Sequence, residues 1–261
     1  MKCALFYFSG SGNTKWAAKK TSKLLTEKGY DTSYYSLETF EDGPSEIIAA
    51  AVQNCDYIGF AYPIYGADVP RIMREFFEEF IKLSKAYDTS QAKLFFINTF
   101  GYVNGHGYFR LKKLFRNCHL PIMGYLNFRL TNSTKARGNE APLLGNLIPD
   151  PIKKKGYDRM RSLIYAMENN KNVINGIGPH LIVGGIIKNS LKESIKNNYT
   201  KMAVDYEACT KCMQCVEKCP VQSIEFENQR FTFNDSCETC YRCYNICPTK
   251  AIIMNSNHKT L

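Results

Sequence analysis

Along the first 130 residues, short apolar runs alternate with stretches in which apolar residues recur every three or four positions. Residues 3–8 read as a strand, and Lys15 to Glu27 as a helix stopped at Gly29. Tyr30 to Leu37 is strand-like, and Ser45 to Val52 is helical with Ser45 as its N-cap after Pro44. Cys55 to Ala61 is a buried strand. Between Val69 and Leu83, a helical stripe is formed by Ile72, Met73, Phe76, Phe77, Phe80 and Leu83. Ala92 to Asn98 is a strand, Tyr108 to Phe115 a helix and Leu120 to Phe128 a fifth strand. Strands alternating with helices predict an α/β fold, a doubly wound, five-stranded parallel sheet with helices on both faces.

The pattern then breaks. Residues 131–156 are rich in Asn, Pro, Gly and Lys and read as an irregular excursion. Asp158 to Glu168 restores a helix, and Pro179 to Asn198 reads as a helical or mixed connector. The expected division is a first domain over 1–172, a connector over 173–200 and a small α+β domain over 201–257. No apolar run reaches the roughly 18 residues of a membrane span, and the N-terminus lacks a cleavage site and runs straight into a Gly-rich turn.

Cysteine usage changes the picture most. Eight of the eleven cysteines fall in two runs, Cys209-Cys212-Cys215-Cys219-Pro220 and Cys237-Cys240-Cys243-Cys247-Pro248, with identical internal spacing and an offset of 28 residues. Zinc sites usually come as separated Cys-x2-Cys pairs, which leaves the third and fourth cysteines of each run unexplained. Disulfides imply export, which nothing at the N-terminus supports. The spacing resembles that of bacterial two-cluster ferredoxins. That resemblance implies one [4Fe–4S] centre on Cys209, Cys212, Cys215 and Cys247, and another on Cys237, Cys240, Cys243 and Cys219. One departure stands out: the position after each second cysteine, often Gly in such ferredoxins, is Met213 and Tyr241. The remaining Cys3, Cys55 and Cys118 are scattered and read as small buried hydrophobes.

The loop Ser9-Gly10-Ser11-Gly12-Asn13-Thr14 joins the first strand to the first helix. Its glycines let several N–H groups converge at a helix N-terminus, and its hydroxyls add donors, which suits a phosphate monoester. No Gly-Lys-Ser/Thr follows, so it is not a P-loop, and the third glycine of the dinucleotide fingerprint is missing. The loop resembles the FMN-phosphate loop of flavodoxins. That resemblance draws in two later loops, Tyr62-Pro63-Ile64-Tyr65-Gly66 and Thr99-Phe100-Gly101-Tyr102, at the strand ends where such sheets bind ligands. It implies Tyr65 and Tyr102 as partners of the flavin ring and Gly66 as a hinge beside its N5. Trp16 reads as core, Lys15 as a solvated lysine and His106 as a structural or exposed loop histidine.

The formal charge of +10 lies entirely in residues 1–200, because 201–261 hold seven basic and seven acidic residues. It suits electrostatic steering toward an acidic redox partner, or simply a solvated lysine-rich surface. The basic residues are too dispersed for nucleic-acid binding. As a whole the chain resembles the flavodoxin–ferredoxin fusion proteins of anaerobic bacteria and archaea. The resemblance implies a cytoplasmic electron-transfer protein that passes electrons between two [4Fe–4S] clusters and FMN. Two rivals stay open: a flavin-dependent reductase of a small molecule fed by its own clusters, and a ferredoxin carrying a flavin-free docking domain.

Overall fold

In a computed structural model of the protein, residues 1–40, 43–66, 68–87, 90–101, 107–130, 150–175 and 201–254 are described. Five strands come where the apolar runs stand: β1 (Lys2–Tyr7), β2 (Asp31–Ser36), β3 (Tyr57–Pro63), β4 (Lys93–Phe100) and β5 (Ile122–Arg129). They pair in parallel in the order β2-β1-β3-β4-β5, and a two-residue strand β6 (Val173–Ile174) extends the sheet beyond β5. β6 has too little periodicity to show in sequence. β3 is buried at every position, as a central parallel strand covered on both faces must be.

Side chains alternate between two cores, one on each face of the sheet. Ala4, Phe6, Phe8, Ile58, Phe60 and Phe96 face the helices α2 (Ser45–Asn54), α3 (Arg71–Ser84) and α4 (Gly107–Leu114). Cys3, Leu5, Tyr7, Phe95 and Leu126 face α1 (Asn13–Glu27) and α5 (Asp150–Glu168). The ring of Phe60 meets those of Phe77, Phe80 and Phe96 at centroid distances of 4.9–5.3 Å. Burying each such side chain is worth about 1.5–3 kcal/mol. Trp16 is core as read, edge-on to Tyr157 of α5. Of the three scattered cysteines, Cys3 is buried, while Cys55 and Cys118 are half-buried.

Most element ends shift by one or two residues from the sequence reading, and the start of α5 and the cap of α2 differ from it outright. α5 begins at Asp150, not Asp158, so 150–156 is helix rather than excursion. Asp150 and Pro151 suit a first helical turn, and Gly156 is tolerated because it faces the Trp16 ring, 3.4 Å from where a Cβ would stand. Ser45 does not cap α2. Pro44 holds that position, and the Ser45 hydroxyl donates to the Glu79 carboxylate at 2.5 Å. Tyr102, His106, and residues 131–149 and 176–200 lie outside the described residues.

The C-terminal module is tied end to end by antiparallel β7 (Met202–Val204) and β10 (Ile252–Met254). Between them lie α6 (Gln214–Glu217), the hairpin β8 (Ile224–Glu227) and β9 (Arg230–Phe233), and α7 (Arg242–Ile246). Asn228 and Gln229 both take positive φ, the backbone of a two-residue hairpin turn matched to strand twist. The 28-residue offset of the cysteines is also an offset of backbone. Lys211 and Thr239, Met213 and Tyr241, and Gln222 and Lys250 form three such pairs, all with φ from 49° to 60°.

Candidate functional site

The repeat brings sulfurs and N–H groups together in the same way twice. Lys211 N–H donates to the Cys209 sulfur and Thr239 N–H to that of Cys237, both at 3.4 Å. Ser223 N–H donates to the Cys219 sulfur at 3.3 Å, and Ala251 N–H to that of Cys247 at 3.2 Å. Met213 and Tyr241 sit in the left-handed region, which explains why glycine is favoured there. A side chain in that conformation costs about 1–2 kcal/mol.

Cys219, Cys237, Cys240 and Cys243 line one small closed cavity of about 20 Å³, with Met202 and Ile224 among its walls. Burial pushes the Cys240 thiol up to about 12, and the charges of Cys237 and Cys219 add to the rise. Cys243 is raised by burial and then by Cys240, Cys237 and Cys219. The fourth cysteine of the first run therefore faces the first three of the second. In the first run, burial pushes Cys215 up to about 11, helped by Cys209 and Cys212. At Cys247 burial also raises the thiol, but donors from Ile252, Thr249 and Ala251 outweigh it and bring the value below the ordinary 9.0. Among the described residues no group of His, Cys, Asp or Glu is compact enough for a single metal ion. A cubane spreads its thiolates over a larger body than one ion; the four thiols ring one common cavity, which at about 20 Å³ has to widen to admit such a body.

On the sheet, the three loops meet at the C-terminal ends of β1, β3 and β4. Gly12, with φ of 94°, lets the chain turn into α1, and the Ser9 hydroxyl accepts from Lys15 N–H at 3.0 Å. The buried hydroxyls of Thr14 and Thr99 are 2.8 Å apart, and Ile64 N–H donates to the Thr99 carbonyl at 2.8 Å. Tyr65 and Asp68 exchange backbone hydrogen bonds around a turn that includes Gly66, at φ of 58°. The Asp68 carboxylate is held by Arg110 of α4 and Arg74 of α3. The structure therefore gathers Ser9–Thr14, Tyr62–Gly66 and Thr99–Gly101 at one edge. Lys15 is exposed there, as expected.

The cysteine module sits directly on this edge. A Cβ built on Gly10 would lie 2.3 Å from Cβ of Cys240 and 2.4 Å from the Tyr65 hydroxyl. Arg242, between the second and third cysteines of its run, donates to the carbonyls of Ser9 and Gly10 at 2.7 Å each. It also forms a two-pronged pair with Glu38 at 2.7 Å per bond, and reaches the Lys218 carbonyl at 3.1 Å. Burial opposes the guanidinium charge, but Glu38 outweighs it and holds the group above its ordinary value. Beside this contact runs a cavity of about 560 Å³ bordered by Ser9, Ser11, Lys15, Ser36, Lys218 and Arg242. Its volume is in the range of small-molecule sites. Burial raises the Tyr65 hydroxyl well above its ordinary value, Cys240 adds to the rise, and Arg242 and the Gly10 N–H oppose it. Sequence reasoning missed Arg242, Glu38 and Glu238. Only the lone charged residue inside the Cys240–Cys243 loop hinted at the first.

Residues 201–248 match the family of 4Fe-4S dicluster domains. Comparison with curated proteins found no match. Among solved structures, the two-electron reduced flavodoxin of Megasphaera elsdenii is similar at 19% identity over 55% of this chain and 95% of that one, with a TM-score of 0.39. A flavodoxin from the domain Archaea is similar at 18% identity over 59% and 99%, with a TM-score of 0.40. A flavodiiron core from Synechocystis is similar at 21% identity and a TM-score of 0.40, over 59% of this chain and 36% of that one. The strand order 2-1-3-4-5 is itself that of the flavodoxin-like fold. The chain thus joins a flavodoxin-like sheet to a ferredoxin-type 4Fe-4S dicluster domain.

Proposed function

We propose that the protein is an electron carrier in which two [4Fe–4S] clusters, on the cysteine sets named above, communicate with an FMN held at the sheet edge. We further propose 1–172 as the flavin-binding domain and 201–257 as the cluster domain. A cluster passes single electrons and FMN takes one or two, so the pair interconverts one- and two-electron chemistry. The observation that carries this reading is the packing of Cys240, a cluster ligand in the proposal, against Gly10 in the middle of the phosphate-type loop.

The chain's own residues supply the rest. The N-terminus of α1, with Ser9, Ser11 and Thr14 in its loop, suits a phosphate bound mainly by neutral donors. Lys15 and Lys218 border the adjoining cavity with Glu217, while Arg242 and Glu38 on its wall offset each other, which leaves a small positive balance for an anion. The Tyr65 hydroxyl fills the space over Gly10, which sets that side chain against the phosphate-type loop. Fusing the two domains raises the effective concentration of one centre at the other. The basic excess of residues 1–200 would steer an acidic redox partner.

Anaerobic purification with counts of iron, sulfide and extracted flavin tests the reading. About eight irons, on the two-cubane assignment, and FMN in proportion to chain are expected. Clusters with no flavin and no uptake of added FMN would leave a ferredoxin with a docking domain. Turnover of a nitro compound or quinone would instead favour the reductase.

A further inference from the structure

The guanidinium of Arg242 has five N–H donors, and the structure gives it five acceptors: the carbonyls of Ser9, Gly10 and Lys218 and both oxygens of Glu38. Three of the four residues supplying them belong to the sheet domain. Lys218 is the residue just before Cys219, so the same fork also grips the segment that carries the fourth cysteine of the inner cavity. A fork with every prong engaged fixes orientation as well as distance, which a flexible ammonium does not.

Two further contacts pin the same loop. Glu238 accepts from Ile72 N–H at 2.8 Å, and Arg71 donates to the Ser236 carbonyl at 3.1 Å. These cross-domain bonds run from residues 236–242, the segment of the second cysteine run. On the first run, Cys212 is exposed. Gly10 completes the fit, because any side chain there would collide with Cys240.

We infer that Arg242 is a positioning residue: paired with Glu38, it seats the cage of Cys219, Cys237, Cys240 and Cys243 on the Ser9–Thr14 loop. This makes that cage the inner one and leaves the cage of Cys209, Cys212, Cys215 and Cys247 as the port toward solvent. The inference rests on the function proposed above only in treating the cages as cluster sites.

The test places changes in the sheet domain and reads them in the cysteine module of the full, cluster-loaded chain. Glu38→Gln removes a charge that meets the module through Arg242, and Gly10→Ala adds a methyl where Cys240 stands. Both are expected to speed amide hydrogen exchange in residues 239–243 at least tenfold. They should also move the hyperfine-shifted β-proton resonances of Cys240 and Cys243 while those of Cys209 and Cys212 stay put. Arg242→Lys, which keeps the charge but loses the fork, is expected to do the same to exchange. If either sheet variant fails to fold, Arg242→Lys alone decides. Unchanged exchange in the folded variants, or movement confined to Cys209 and Cys212, overturns the inference. None of these readouts depends on flavin, so a flavin-free chain would sink the proposed function and leave the docking intact.

Discussion

The backbone N–H of Ile72 donates to the carboxylate of Glu238 at 2.8 Å across 166 residues of sequence. Ile72 lies in the first turn of α3, where N–H groups have no partner within the helix, and the residue before the helix is Pro70, whose side chain makes no cap. The cysteine module therefore supplies the cap that the sheet domain lacks, with a negative charge suited to a helix N-terminus. Glu238→Ala should destabilise the full chain by about 0.5–2 kcal/mol, the range for losing a cap. Denaturant midpoints of the two chains check this.

Ser223 is buried, with its hydroxyl 3.4 Å from the Cys219 sulfur. Toward a thiolate that hydroxyl can only donate, and a donor stabilises the more negative, reduced state of a centre. Ser223→Ala should lower the midpoint potential of one cluster by roughly 20–60 mV, the one-electron equivalent of about 0.5–1.5 kcal/mol. The other cluster should not move. A redox titration followed by electron paramagnetic resonance measures both.

Met213 holds φ of 60° with a side chain attached. Met213→Gly relieves about 1–2 kcal/mol of backbone cost and gives back about 0.4–1 kcal/mol through a looser unfolded chain. A slower loss of the first cluster on mild denaturation is the expected outcome, read from the decay of its visible absorbance.

The buried hydroxyl and thiol groups set the alkaline limit. Burial, then the charges of Cys55 and Asp56, raise Cys3 above its ordinary 9.0. Burial and Tyr125 raise Tyr62 above its ordinary 10.0. Both groups are neutral when protonated, and folding favours that form. Their contribution is fully present below the unfolded values and fades as pH climbs through the folded ones. Stability should hold to about pH 9 and then fall, and Cys3→Ala should delay the first part of the fall. Denaturant midpoints from pH 7 to pH 11 test it.

The inner strands were legible because they are buried on both faces and so read as nearly unbroken apolar runs, as from Tyr57 to Pro63, whereas β2 at the edge is polar and partly exposed. The 28-residue repeat of the cysteines was legible in their spacing, and the backbone carries it in the paired positive φ values of Met213 and Tyr241. The start of α5 was not, since Pro151 and Gly156 look like loop until Trp16 is seen packed beside the glycine. Nor was Glu38 or Glu238. Each is an ordinary surface carboxylate by sequence, and its partner stands 204 or 166 residues away. Contacts between domains leave no periodic trace in either one. Tyr102 and His106 lie outside the described residues, and Tyr65 faces Gly10.

Cys219 belongs to the first half of the 28-residue repeat, yet it lines one cavity with Cys237, Cys240 and Cys243 of the second. The second half thus takes a sulfur from the first and is incomplete without it. On the ligand sets proposed above, a break anywhere between Pro220 and Ser236 would strand a sulfur on each side. Oxidative injury to one centre should thus loosen its sibling, and the module should fail as a unit.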